Sequence, residues 1–109
     1  MSKPLPGHAR VVVIGGGVMG ASVLYHLAHE GWTDCVLLEK AELTSGSTWH
    51  AAGQVTHSIS SRAGAEFARY ATELYPRLEA ETEQSATWHG CGSLRLAYTR
   101  EEQDWLRYT

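Results

Sequence analysis

With 109 residues, the chain has room for one small domain or a piece of a larger one. A content of 43% hydrophobic and 19% charged residues is that of a globular chain, and a net charge of −3 without any basic cluster argues against a nucleic-acid partner. Apolar runs such as Val11–Ile14 fall far short of a membrane span, so a membrane is not an expected partner either.

The leader, Met1 to Arg10, is polar and contains prolines. It lacks the apolar core of a secretory signal and is too short for a transit peptide, which makes the cytoplasm the expected compartment. Cys35 and Cys91 lie far apart and outside any C-x-x-C pair, so no disulfide or metal framework is expected. Cys35, in an apolar stretch, reads as a small buried hydrophobe.

Arg10 to Ile14 is a short β-branched run stopped at once by glycines, the pattern of a strand buried on both faces of a parallel sheet. Gly15 to Gly20 forms a tight turn. A helical pattern then runs to about Glu30, with Ala21, Leu24, Leu27 and Ala28 on one face and Gly31 as its stop. Asp34 to Leu38 is a second apolar run ending at Glu39. Strand, glycine turn, helix and strand spell a βαβ unit, so the expected class is α/β, a Rossmann-like βαβ unit. Ala41 to Ser61 reads as a long loop rich in Ser, Thr, Gly and His, and a loop of that length is usually functional or disordered.

From about Arg62 the spacing of Ala63, Phe67, Tyr70, Ala71, Leu74 and Leu78 predicts a helix, more core than cofactor box, with Glu73 and Arg77 paired on its solvated face. Pro76 should kink it or begin a second helix. Ser93 to Tyr98 alternates and predicts a strand with Leu94 and Leu96 on one face. Thr99-Arg-Glu-Glu102 is a capping box, so another helix should begin near Arg100. The chain stops soon after that cap, which suggests a sequence cut rather than finished. The expected whole is therefore an incomplete unit followed by a helix and a short strand, marginally stable alone.

Gly15-x-Gly17-x-x-Gly20 stands between strand and helix. Gly15 permits the turn out of the strand, Gly17 lets a pyrophosphate approach the backbone, and Gly20 lets the helix pack closely on the strand. The backbone around Val18 and Met19, at the helix start, offers N–H groups and partial positive charge to phosphates. Glu39, 19 residues beyond Gly20, is placed to accept from both ribose hydroxyls of an adenosine, with Lys40 beside the adenine end. It would repel a 2′-phosphate. This unit reads an ADP moiety and does not by itself separate NAD from FAD.

The stretch from Thr44 to Gly53 makes that separation. Ser47 and Thr48 can donate hydrogen bonds, and Gly46 and Gly53 allow close backbone approach, which provides a path for the pyrophosphate and ribityl chain of an extended FAD. An NAD-binding unit has no need of it directly after the second strand.

Val11-Val-Val-Ile-Gly-Gly-Gly-Val-Met-Gly20, Glu39-Lys40 and Gly46-Ser-Thr-Trp-His-Ala-Ala-Gly53 together resemble the dimethylglycine dehydrogenase and sarcosine dehydrogenase group of the D-amino-acid-oxidase-like flavoproteins. The resemblance continues through Tyr75 to Thr82 and Gly92 to Ala97. It implies that residues 1–109 are the N-terminal part of an FAD-binding domain, with Gly46, Ser47, Thr48, Trp49, His50, Ala51, Ala52, Gly53 and Gln54 wrapping the ribityl and ring portion of FAD. It implies covalent attachment of FAD through His50, by an 8α-methyl linkage, and oxidation of an N-methylated amino acid by hydride transfer to the flavin. The remainder of the FAD and substrate domains would be its partners, with tetrahydrofolate binding confined to a full-length protein. Catalytic groups would lie in that remainder. The alternative is a truncated, non-catalytic dinucleotide-binding relic or regulator. Among the other histidines, His26 and His29 are expected to face solvent, His8 lies in the leader, His57 could approach the flavin site, and His89 reads as a turn residue. No metal site is expected.

Overall fold

A computed structural model describes residues 4–56 and 61–108 and divides into two compact units, 1–52 and 53–109. The first holds β1 (Val11–Ile14), α1 (Val18–His29) and β2 (Cys35–Leu38); the second holds α2 (Arg62–Thr82) and α3 (Arg100–Tyr108). No helix among the described residues is long and apolar enough to cross a membrane.

In the first unit β1 and β2 pair in parallel, with Val11 opposite Cys35 and Ile14 opposite Leu38. Backbone bonds extend the ladder at both ends, Arg10 N to Asp34 O at 2.9 Å and Gly15 N to Leu38 O at 2.8 Å. Parallel neighbours need a crossover, and α1 supplies it. Its C-terminus closes as a Schellman motif: Gly31, at φ 84°, donates to Ala28 O, and Trp32 N donates to Leu27 O. The Arg10 guanidinium lies 3.7 Å from the centre of the Trp32 ring, a cation–π contact that ties the start of β1 to the residue after the helix stop.

Burial departs from the expectation for β1. Val11 and Val13 are half-buried, whereas Val12 is 50% and Ile14 85% exposed. One face of the strand is covered and the other is open, so β1 alternates instead of being enclosed on both faces. Cys35 is likewise half-buried, its thiol donating to Trp32 O at 3.4 Å.

In the second unit Ser61 caps α2 by accepting from Gly64 N at 3.1 Å, and Glu83, in the left-handed region at φ 58°, ends it. Pro76 lies inside this single 21-residue helix and begins no second one; lacking an N–H, it cannot make the helical bond to the carbonyl four residues back. Ala71, Leu74 and Leu78 are half-buried, but Ala63, Phe67 and Tyr70 are exposed, so only part of the expected face is covered. Glu73 is engaged from the other side of the helix turn, by Arg69 at 3.4 Å. Tyr75 stacks on Trp88 with ring centres 5.6 Å apart. The capping box forms as its spacing predicts: Thr99 Oγ1 accepts from Glu102 N at 3.1 Å, and Glu102 Oε2 accepts from Thr99 N at 3.2 Å and from Tyr98 N at 2.7 Å.

The expected short strand over 93–98 is corrected. No strand forms there, and Leu94 and Leu96 are 86% and 66% exposed. Alternation marks a segment suited to a half-buried sheet, but a strand exists only where a neighbour completes its ladder. No described residue pairs with this one.

Candidate functional site

The site grows from the end of β1. Gly15, at φ 105°, occupies backbone space that side chains rarely tolerate and turns the chain from the strand toward α1. Gly20 packs so closely that a Cβ there would collide with the Gly15 carbonyl oxygen and come within 3.4 Å of Val13 Cγ1. Helix and strand approach each other only because that Cβ is missing.

Between them, Gly16 is the one buried residue of the described chain. A Cβ on it would meet Leu43 Cδ2 at 2.5 Å and Glu39 Cβ at 3.1 Å. Its N–H donates to Glu39 Oε2 at 2.7 Å, while Ala41 N donates to Glu39 Oε1 at 2.9 Å. The Gly16 amide first, then the Ala41 amide, and more weakly the backbone and charge of Lys40, hold the carboxyl of Glu39 below the usual carboxylate range against a smaller opposing effect of burial. The Gly16 and Ala41 bonds use two of the roughly four acceptor positions of a carboxylate. Glu39 is thus ionised, braced, and still able to accept.

Helix α1 starts at Val18 with Gly17 as its N-cap, no side-chain cap of its own and no acidic residue in its first turn. Val18 N donates instead to Thr48 Oγ1 at 2.9 Å, from a residue 30 positions away. The amides of Met19 and Gly20 have no intrahelical carbonyl to reach, as in the first turn of any helix. This terminus carries partial positive charge that no acidic side chain of its own first turn cancels.

The segment expected as a loop folds into consecutive turns over 43–50. Thr44, in the left-handed region at φ 67°, donates its N–H to Gly16 O at 3.0 Å. Trp49 N reaches Thr44 O and Gly46 O, His50 N reaches Ser47 O, and Ala51 N reaches Thr48 O, all within 3.1–3.2 Å. The imidazole of His50 is exposed, with Nδ1 3.0 Å from Gly46 O. A carbonyl only accepts, so that bond puts the proton on Nδ1 and leaves the Nε2 lone pair open.

The first unit therefore brings Gly15, Gly17, Val18, Gly20, Glu39 and Thr48 together, with Lys40 adjoining and Met19 on the helix turn. Gly46, Ser47, Trp49, His50, Ala51 and Ala52 follow on the adjoining turns. Gly53 and Gln54 belong to the second unit. Thr48, read from sequence as a donor, accepts. Gly16, Ala41 and Leu43 were not singled out by the motif. The middle glycine of the Gly15-Gly-Gly17 run, which the G-x-G-x-x-G spacing does not require, was the signal for Gly16.

His57 lies outside the described residues. His29 is exposed as expected, but His26 is half-buried, its Nδ1 2.7 Å from Ser22 O and its ring edge-on to Tyr25. No group of three His, Cys, Asp or Glu side chains among the described residues could hold a metal ion.

Residues 10–108 match the family profile DAO, FAD dependent oxidoreductase. The chain belongs to the DAO family of FAD dependent oxidoreductases. It is 44% identical over 105 residues to 4-methylaminobutanoate oxidase (formaldehyde-forming) of Paenarthrobacter nicotinovorans, covering 96% of this chain and 13% of that protein. It is 49% identical over 100 residues to mitochondrial dimethylglycine dehydrogenase of Rattus norvegicus, covering 92% and 12%. The mitochondrial pyruvate dehydrogenase phosphatase regulatory subunit of Mus musculus matches at 43% over 100 residues, covering 92% and 11%. Human mitochondrial sarcosine dehydrogenase is 43% identical as well. The resemblance to the dimethylglycine and sarcosine dehydrogenase group thus holds along most of the chain, which spans only 11–13% of the length of these relatives.

Proposed function

We propose that this chain is the cofactor-holding, Rossmann-like part of a flavoenzyme that oxidises N-methylated amino acids, with FAD attached covalently at His50. The observation that carries the proposal is the convergence of Glu39, Gly16 and Thr48 on the uncapped start of α1, beside the turn that presents His50. Three relatives named for amine oxidation support the substrate class.

The residues fit FAD. The glycine turn and the first turn of α1 leave a cradle for the pyrophosphate, with backbone amides and a positive helix end. Glu39, anchored by Gly16 and Ala41, keeps acceptor capacity for two ribose hydroxyls and its charge disfavours a 2′-phosphate. The hydroxyls of Ser47 and Thr48 and the bare backbone of Gly46 serve the ribityl chain, and Trp49 with Ala51 and Ala52 supplies apolar surface. His50, with Nδ1 held by Gly46 O, would hold the flavin through Nε2 at its 8α carbon, a bond that would replace one 8α C–H, release its proton and leave the electron pair on the flavin ring. When bound, the flavin accepts a hydride equivalent from the C–H beside the amine nitrogen. Metal chemistry is no part of this reading.

Anaerobic addition of dimethylglycine, sarcosine or 4-methylaminobutanoate to the intact flavin-loaded protein should bleach the oxidised flavin with at least one of them. A second reading, a binding or regulatory protein without catalysis, is favoured by the relative named as a regulatory subunit. Flavin that is bound but unreduced by all three amines would decide for it.

A further inference from the structure

The turn that carries His50 is fastened to the glycine turn at two points. One is a backbone bond, Thr44 N to Gly16 O at 3.0 Å. The other is the hydroxyl of Thr48, which accepts from Val18 N at 2.9 Å. An N-cap side chain normally satisfies one of the first amides of a helix, but Gly17 has none to offer. Thr48 supplies the missing acceptor from a distant turn. Gly17 makes room for it, since a Cβ at that position would stand 2.9 Å from Thr48 Oγ1. From Thr48 the geometry passes directly to the histidine: Thr48 O accepts from Ala51 N at 3.2 Å, Ser47 O accepts from His50 N at 3.1 Å, and Gly46 O holds the imidazole at 3.0 Å. His50 therefore sits on a wound turn that Thr44 N anchors at its start and the Thr48 hydroxyl anchors two residues before the histidine.

We propose that Thr48 is a positioning residue whose hydroxyl latches the 44–51 turn to the first turn of α1, and so sets the His50 imidazole for flavin attachment before the bond is made. The proposal rests on His50 being the point of attachment. A hydroxyl that accepts from Val18 still has its own O–H to donate, so the latch and a contact to a phosphate oxygen are compatible.

The test compares Thr48→Val, which keeps the shape and loses the acceptor, with Thr48→Ser, which keeps the acceptor; Thr48→Ala replaces valine if valine impairs folding. Two quantities are read in the intact protein. The first is amide hydrogen exchange at Val18 in flavin-free protein, which valine should accelerate and serine should not. The second is the rate at which acid-stable flavin accumulates at saturating FAD, so that differences in affinity drop out. Loss of one hydrogen bond should slow it roughly threefold to tenfold in Thr48→Val, with serine restoring the wild-type rate.

Unchanged exchange at Val18 in Thr48→Val overturns the latch. Wild-type incorporation in a variant with accelerated exchange overturns the positioning role. Wild-type protein that binds FAD and never forms acid-stable flavin overturns attachment at His50 and the positioning role with it, while the exchange comparison still decides the latch.

Discussion

At Glu39 two backbone amides converge on one carboxylate, and this has a consequence for acid stability. The bonds from Gly16 and Ala41 favour the ionised form, so the carboxyl titrates lower in the folded chain than in the unfolded one. A depressed folded value means that the contribution to stability is fully present above the ordinary glutamate range and is lost as pH falls through the lower, folded value. Glu39→Gln keeps an acceptor for one amide but removes the charge and sets an NH2 against the other. The variant should melt below wild type at neutral pH, and the gap should close as pH drops below the usual carboxylate range. Thermal unfolding at a series of pH values checks this; parallel curves would contradict the account. Gly16 and Glu39 also show why part of the site was illegible in the sequence. The motif marks Gly15, Gly17 and Gly20 by spacing, and Glu39 by its place after the second strand. The bond from Gly16 to Glu39 spans 23 residues and that from Val18 to Thr48 spans 30, distances that no local pattern encodes.

Each correctly expected element carries its own local signal. The β1–α1–β2 unit is written in two apolar runs, a glycine turn and a helical period. The start of α3 is written in Thr99 and Glu102, whose reciprocal bonds need only residues three apart. The stretch over 93–98 lacks what local sequence cannot provide, a partner strand, and its alternating leucines stay exposed. The end of α1 gives the element-scale prediction. Gly31 adopts φ 84° with open space around its Cα, so an added methyl meets no neighbour and the cost is purely conformational. Gly31→Ala should therefore destabilise the unit by about 1–2 kcal/mol. Denaturant unfolding measures it, and a neutral result would mean that the Schellman closure seen at Gly31 and Trp32 does not hold the helix end.

Across the whole molecule, apolar surface is conspicuous. The described residues contain no buried hydrophobic side chain, and Ile14, Trp49 and Phe67 are each more than three-quarters exposed. Since hydrophobic stabilisation scales with the apolar area removed from water, these residues contribute little to holding either unit closed. What the first unit does bring together is a glycine turn, an ionised and braced glutamate, a helix start whose first amide is met by Thr48, and a histidine bonded to a backbone carbonyl. The family match over residues 10–108 makes flavin the cofactor of that family, and attachment at His50 is the central claim for this member. The most direct measurement is to precipitate the intact, flavin-loaded protein in acid, digest it, and weigh the peptide that contains His50. The account predicts yellow precipitate and a flavin mass on that peptide, lost in His50→Ala. Flavin released wholly into the supernatant by the wild-type protein would contradict it.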